Sequence, residues 1–165
     1  MTTKTKQYVR SLLCLMLIAS FTLTGFAQNP DFTGKWKLNE SSSTLGAEFS
    51  FAPISLDISQ ESNLMTVERV NDFQGEEFTS KSAYTLDGKE SMNVGFRGAE
   101  NISIAEWNED GTSLTVTTSI EMQDGGEFII KASYALDEDK LVVVNAMEGG
   151  PMGDRDPEKW VFDKQ

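Results

Sequence analysis

The chain has 165 residues and carries 26 acidic against 14 basic side chains, a formal net charge of −12. A surface this acidic repels phosphate backbones and anionic headgroups, which argues against nucleic acid and charge-driven membrane attachment. There is no histidine and only one cysteine, so imidazole triads and histidine metal sites are excluded.

The first stretch reads as a targeting segment. Lys4, Lys6 and Arg10 form a basic start, and Leu12 to Leu23 is apolar but too short to span a bilayer as a stable helix. Gly25-Phe26-Ala27 places small residues where a signal peptidase cuts, which predicts cleavage before Gln28. Residues 1–27 are then a signal peptide and 28–165 the mature domain, exported to the periplasm or the medium. Cys14 sits early in the apolar run and not at its end, so no lipid anchor is read. Cleavage removes three basic residues and no acidic ones, leaving 138 residues with a net charge of −15 and no cysteine. Without disulfides, the core alone must stabilise one domain of this size.

The mature chain opens on Asp31-Phe32-Thr33-Gly34-Lys35-Trp36-Lys37-Leu38, read as a strand with Trp36 and Leu38 on one face and both lysines on the other. Gly34 permits a close backbone approach, and the ring of Trp36 suits a plug at the closed end of a barrel. Asn39 to Glu48 is serine-rich and reads as a loop. Beyond it apolar residues alternate and turn residues arrive about every ten positions. Ile54, Leu56 and Ile58 mark one strand, and Met65 and Val67 the next. Phe78, Ser80, Ser82, Tyr84 and Leu86 share a face before the hairpin signal Asp87-Gly88. Met92, Val94 and Phe96 alternate, as do Leu114, Val116, Thr118, Ile120 and Met122. Phe128, Ile130, Ala132, Tyr134 and Leu136 follow, then an apolar run from Leu141 to Met147, a loop from Glu148 to Glu158, and a closing strand from Lys159 to Lys164. The sum is all-β: about ten antiparallel strands in an up-and-down barrel, whose closure removes the long edges of a flat sheet.

The pattern F-x-x-K-x-x-Y-x-L-D occurs twice, from Phe78 to Asp87 and from Phe128 to Asp137. Two equivalent sets of hairpins in one barrel account for it; ordinary strand-and-turn grammar is the plainer alternative.

Few residues carry chemistry. Asp137-Glu138-Asp139 lacks the spaced oxygens of a calcium loop and reads as a solvated turn. Glu106 shares a face with Ile102 and Ile104 if alternation is unbroken, and would then need Arg97 or Tyr84 as a partner. A bulge turning Glu106 outward and Trp107 inward is simpler. Side-chain size is the other signal. Ser80, Ser82 and Tyr84, with Met92, Phe96, Ala132 and Tyr134, are the candidate lining of a ligand cavity. Small inner residues leave volume in a barrel, yet Met65, Met92 and Met122 can fill such gaps, so cavity and filled core both stand.

The Gly34-x-Trp36 opening resembles that of the lipocalin and fatty-acid-binding superfamily, and the wider F-x-G-x-W-K-L wording is similar to secreted bacterial lipocalin-like proteins. The resemblance implies a lipocalin-like barrel that binds a small apolar or amphipathic molecule without transforming it and without a cofactor. It also implies a basic residue of the last strand stacked on Trp36, for which Lys159 is nearest and Arg155 further out. It does not extend to the paired helices of fatty-acid-binding proteins, for which Asn39 to Glu48 is too short. Nor does it reach their terminal R-x-Y pair, absent from Lys159-Trp160-Val161-Phe162. The alternative function is a structural or protein-interaction module of the cell envelope with a filled barrel, its contact surface the loop from Met147 to Asp156. A barrel enzyme using carboxylates or a tyrosine is the third reading.

Overall fold

The alternation that begins at Gly34 becomes ten antiparallel strands: β1 Gly34–Leu38, β2 Ser55–Glu61, β3 Leu64–Phe73, β4 Glu76–Thr85, β5 Glu90–Val94, β6 Glu100–Trp107, β7 Ser113–Glu121, β8 Glu127–Asp137, β9 Lys140–Gly149 and β10 Arg155–Lys164. The computed structural model describes residues 29–47, 50–73, 75–95, 98–122, 126–150, 153 and 155–165. The leader read over 1–27, Arg97 and the cavity candidate Phe96 lie outside the described residues.

The strands form one sheet in the order β4-β3-β2-β1-β10-β9-β8-β7-β6-β5, each hydrogen-bonded to the next, curled into a nearly closed up-and-down barrel. The first and last strands pair at its centre, with Trp36 opposite Lys164 and Leu38 opposite Phe162. The serine-rich loop then continues along β10. Asn39 N–H donates to Val161 O, Ser43 Oγ accepts from Val161 N–H, and Thr44 bridges Lys159. This cover buries Val161, which points away from the lumen.

One end of the barrel is plugged. Trp36 is 2% exposed, and its indole N–H donates to Phe32 O at 2.9 Å. Phe32 is fully buried, stacked on Trp107 at 5.8 Å and against Tyr134 at 6.1 Å. Gly34 has φ +149°, a conformation that L side chains rarely adopt. A Cβ there would meet Lys164 Cε at 3.1 Å, because the lysine stem crosses the glycine to set its ammonium 5.3 Å from the Trp36 ring. The basic residue on the tryptophan is therefore Lys164 and not Lys159. Inward positions on β10 are the even ones, Glu158, Trp160 and Phe162, so Lys159 is turned out and exposed.

Two further expectations change. Met92 and Val94 are 73% and 65% exposed, on the outer wall. Ser91 and Asn93 take the inner face of β5. Closure is also incomplete. β4 and β5 are the two ends of the sheet order, and no backbone-to-backbone bond joins them among the described residues. Side chains bridge the gap instead, and β5 turns its polar face inward because that face reaches the bare edge of β4. In β6, Ser103 and Ala105 are buried, Trp107 shares their face, and Glu106 is exposed. The β6–β7 ladder runs without a shift from Ile102 to Trp107, so plain alternation and no bulge turns Glu106 out.

Candidate functional site

β3 presents Met65 and Val67 to the core, both fully buried, and the next position on that face is Arg69. Its guanidinium therefore enters the lumen. Nη2 donates to Tyr84 Oη at 3.0 Å and to Tyr134 Oη at 2.9 Å, and Nη1 reaches Ser82 Oγ at 3.4 Å. Tyr84 and Ser82 come from the neighbouring β4, whereas Tyr134 comes from β8 on another part of the wall. One step further along β3, Asn71 Nδ2 donates to Ser80 Oγ at 3.3 Å.

The repeated segments explain the convergence. Their tyrosines, Tyr84 and Tyr134, both face inward and meet on one guanidinium. Their lysines face outward, Lys81 toward Glu68 at 3.9 Å and Lys131 toward Glu148 at 2.8 Å.

Among the described residues no carboxylate pairs with Arg69. A cation drawn out of water normally takes an anionic partner, because desolvation is costly. Burial is the largest influence on the guanidinium and opposes its charge, but the oxygens of Tyr134 and Tyr84 together outweigh it and hold it protonated. Burial likewise pushes the Tyr134 phenol above its ordinary value, against the opposing pull of Arg69, so it is neutral at pH 7. Each phenol oxygen accepts from arginine and keeps its own O–H to donate. Arginine and two hydroxyl donors are thus gathered around one point in the lumen, a set that can receive an anionic oxygen.

The surroundings are divided. Below the cluster, Tyr134 rests on the Phe32 plug. Toward the other end, Ile120, Phe128, Ile130 and Met147 continue the inner faces of β7, β8 and β9 and are only half-buried, as is Arg69. A second polar group stands on β10, where buried Glu158 accepts from Trp160 Nε1 at 2.7 Å and from Ser50 Oγ. At the plugged end, a polar cleft of about 280 Å³ lies among Asn29, Gln60, Ser62, Asn63, Leu86 and Trp107. No group of three or more potential metal ligands occurs among the described residues.

Of the sequence candidates, the structure brings Ser82, Tyr84 and Tyr134 together on Arg69 and places Ser80 beside them through Asn71. Ala132 shares the inner face of β8 two residues from Tyr134. Met92 is on the outer wall and lines nothing inside. Arg69 is absent from the sequence candidates, although alternation through Met65 and Val67 points to it.

No family model matches the chain, and no curated protein matches it in sequence. Solved structures do. Lipid-binding protein 8 of Caenorhabditis elegans, in its apo form, superposes with a TM-score of 0.55 at 13% identity, over 81% of this chain and 95% of that one. A Schistosoma mansoni fatty-acid-binding protein in complex with arachidonic acid gives 0.52 at 15% identity, over 81% and 96%. What they share with this chain is the fold. The ten-stranded meander is common to all three, and identities this low reach no further.

Proposed function

We propose that this chain is a non-catalytic binding protein for a small amphipathic molecule with an anionic head. The head is held by Arg69, Tyr84 and Tyr134, and the apolar part lies along Ile120, Ile130 and Met147. One observation carries this reading: a protonated arginine inside the barrel with no carboxylate of its own among the described residues. The solved neighbours include a lipid-binding protein and a fatty-acid-binding protein, which favours a lipid-like acid as the ligand. The leader reading adds that the carrier works outside the cytoplasm, in the periplasm or the medium.

The test compares a long-chain carboxylic acid with the primary alcohol of equal length, by displacement of a fluorescent apolar probe. A charge-assisted bond to arginine contributes about 1.5–3 kcal/mol, so the acid should bind at least tenfold tighter. Arg69→Gln should abolish that preference while leaving alcohol binding intact. Equal affinities for acid and alcohol in the wild type would overturn the reading.

A further inference from the structure

The inner wall carries a second polar pair that the Arg69 cluster does not use. Glu158 on β10 stands directly opposite Asn145 on β9, and both face inward, 8% and 4% exposed. The Trp160 indole N–H and the Ser50 hydroxyl both donate to the same carboxylate oxygen, Oε2. Among the described residues, Glu158 Oε1 and the Asn145 side-chain amide have no hydrogen bond. A polar group this deeply buried normally has a partner, because leaving it bare forfeits its bonds to water. Two such groups on facing strands mark a place for a polar atom from outside the chain.

The neighbours leave room for one. Opposite Asn145 on β8 is Ala132, the smallest side chain on that inner face. A pocket of about 10 Å³ lies against Asn145, Met147 and Glu158, enough for one small group. Met147 belongs to the apolar path proposed above. In the adjacent inner row, Tyr134 stands opposite Val143 and Val143 opposite Trp160. Two residues along a strand span about 7 Å, so the polar pair lies one such step beyond the row of Tyr134, on the Met147 side.

We propose that Asn145 and Glu158 form a second subsite, which takes a hydroxyl carried on the apolar chain of the ligand. The subsite rests on the carrier reading above and narrows it to hydroxylated amphipathic acids. A hydroxyl donates to Oε1 and accepts from Asn145 Nδ2, so one atom answers both groups. An ammonium has no lone pair for the amide N–H, and its desolvation costs more. A plain methylene leaves both groups unanswered.

The test is displacement of a fluorescent apolar probe by palmitic acid and by its hydroxy acids, substituted near the carboxyl, in mid-chain or at the terminal carbon. Hydrogen bonds to charged groups are the strong ones, so the isomer whose hydroxyl reaches the pair should bind at least tenfold tighter than palmitic acid. The other isomers should bind no better than palmitic acid, because their hydroxyls meet apolar wall. Asn145→Leu and Glu158→Gln should each lower the ratio of hydroxy-acid to palmitic-acid affinity at least fivefold. Asn145→Leu should also raise the melting midpoint of the ligand-free protein, because it removes a buried amide that has no partner. An asparagine with a purely structural role would show the reverse. Glu158→Gln decides the matter if Asn145→Leu does not fold. Palmitic acid that binds in preference to its alcohol, with no hydroxy isomer binding better, would overturn the subsite and spare the carrier reading; the pair would then hold a water. An amino-substituted acid that binds tighter than the hydroxy acid of the same position would overturn the choice of hydroxyl. No binding of palmitic acid or of any hydroxy acid would overturn both readings.

Discussion

Arg69 and Lys164 are two cations with different work, and parity along a strand decides both. Arg69 follows Met65 and Val67 on the inner face of β3, and Lys164 follows Trp160 and Phe162 on that of β10. The same count along the sequence reaches each of them. A search for acids, histidines and a terminal R-x-Y pair passes over Arg69, because it does not look for a cation on the third strand. Lys159 opens the closing strand as read from the sequence, whereas the face of the strand selects Lys164. Trp36 is legible, because a glycine two residues before a large ring marks a close approach beside a bulky group. Removing a buried tryptophan costs roughly 3–5 kcal/mol, so Trp36→Ala should lower the denaturation midpoint strongly. Lys35→Ala should barely move it, since the Lys35–Asp57 pair is exposed at 3.7 Å. Similar small shifts for both variants would show that Trp36 is not the plug.

At the scale of elements, alternation and turn residues are enough for the number of strands and most of their pairings. They fail on β5. Ser91-Met92-Asn93-Val94 alternates apolar and polar like any strand, and the usual rule sends Met92 and Val94 inward. That rule assumes a partner strand on each side. β5 lacks a backbone partner on its β4 side among the described residues, and satisfying Ala83 and Thr85 takes polar side chains on the inner face. The pairing that decides this lies outside the strand, so a local pattern does not show it. The β3–β4 hairpin gives a sharper test, because Ser82 lies on its inner face against Arg69. If the lumen beside Arg69 is ligand space, Ser82→Phe should fold with a nearly unchanged midpoint and lose uptake of an apolar dye. A packed core would instead be overfilled, at a cost of about 1–3 kcal/mol, and the wild type would take up little dye. That second pattern would favour the filled-barrel interaction module.

Across the whole molecule, the apolar mass is concentrated at the plugged end, where Phe32, Trp36, Leu114 and Tyr134 are buried. Toward the other end the inner apolar residues Ile120, Phe128, Ile130 and Met147 stay half-buried, and Arg69 stands between the two regions. The chain is strongly acidic, which makes the inner guanidinium stand out as the place where an anion is welcome. The central claim is that an anionic head rests on Arg69. The most direct measurement is the carbon-13 resonance of a long-chain acid labelled at its carboxyl carbon, followed against pH when bound to the protein. Beside an arginine and two phenol donors the ionised carboxylate is favoured, so the bound resonance should titrate well below the free acid's midpoint, and Arg69→Gln should erase the difference. A bound carboxyl that titrates like the free acid, and does so identically in both proteins, would contradict the account.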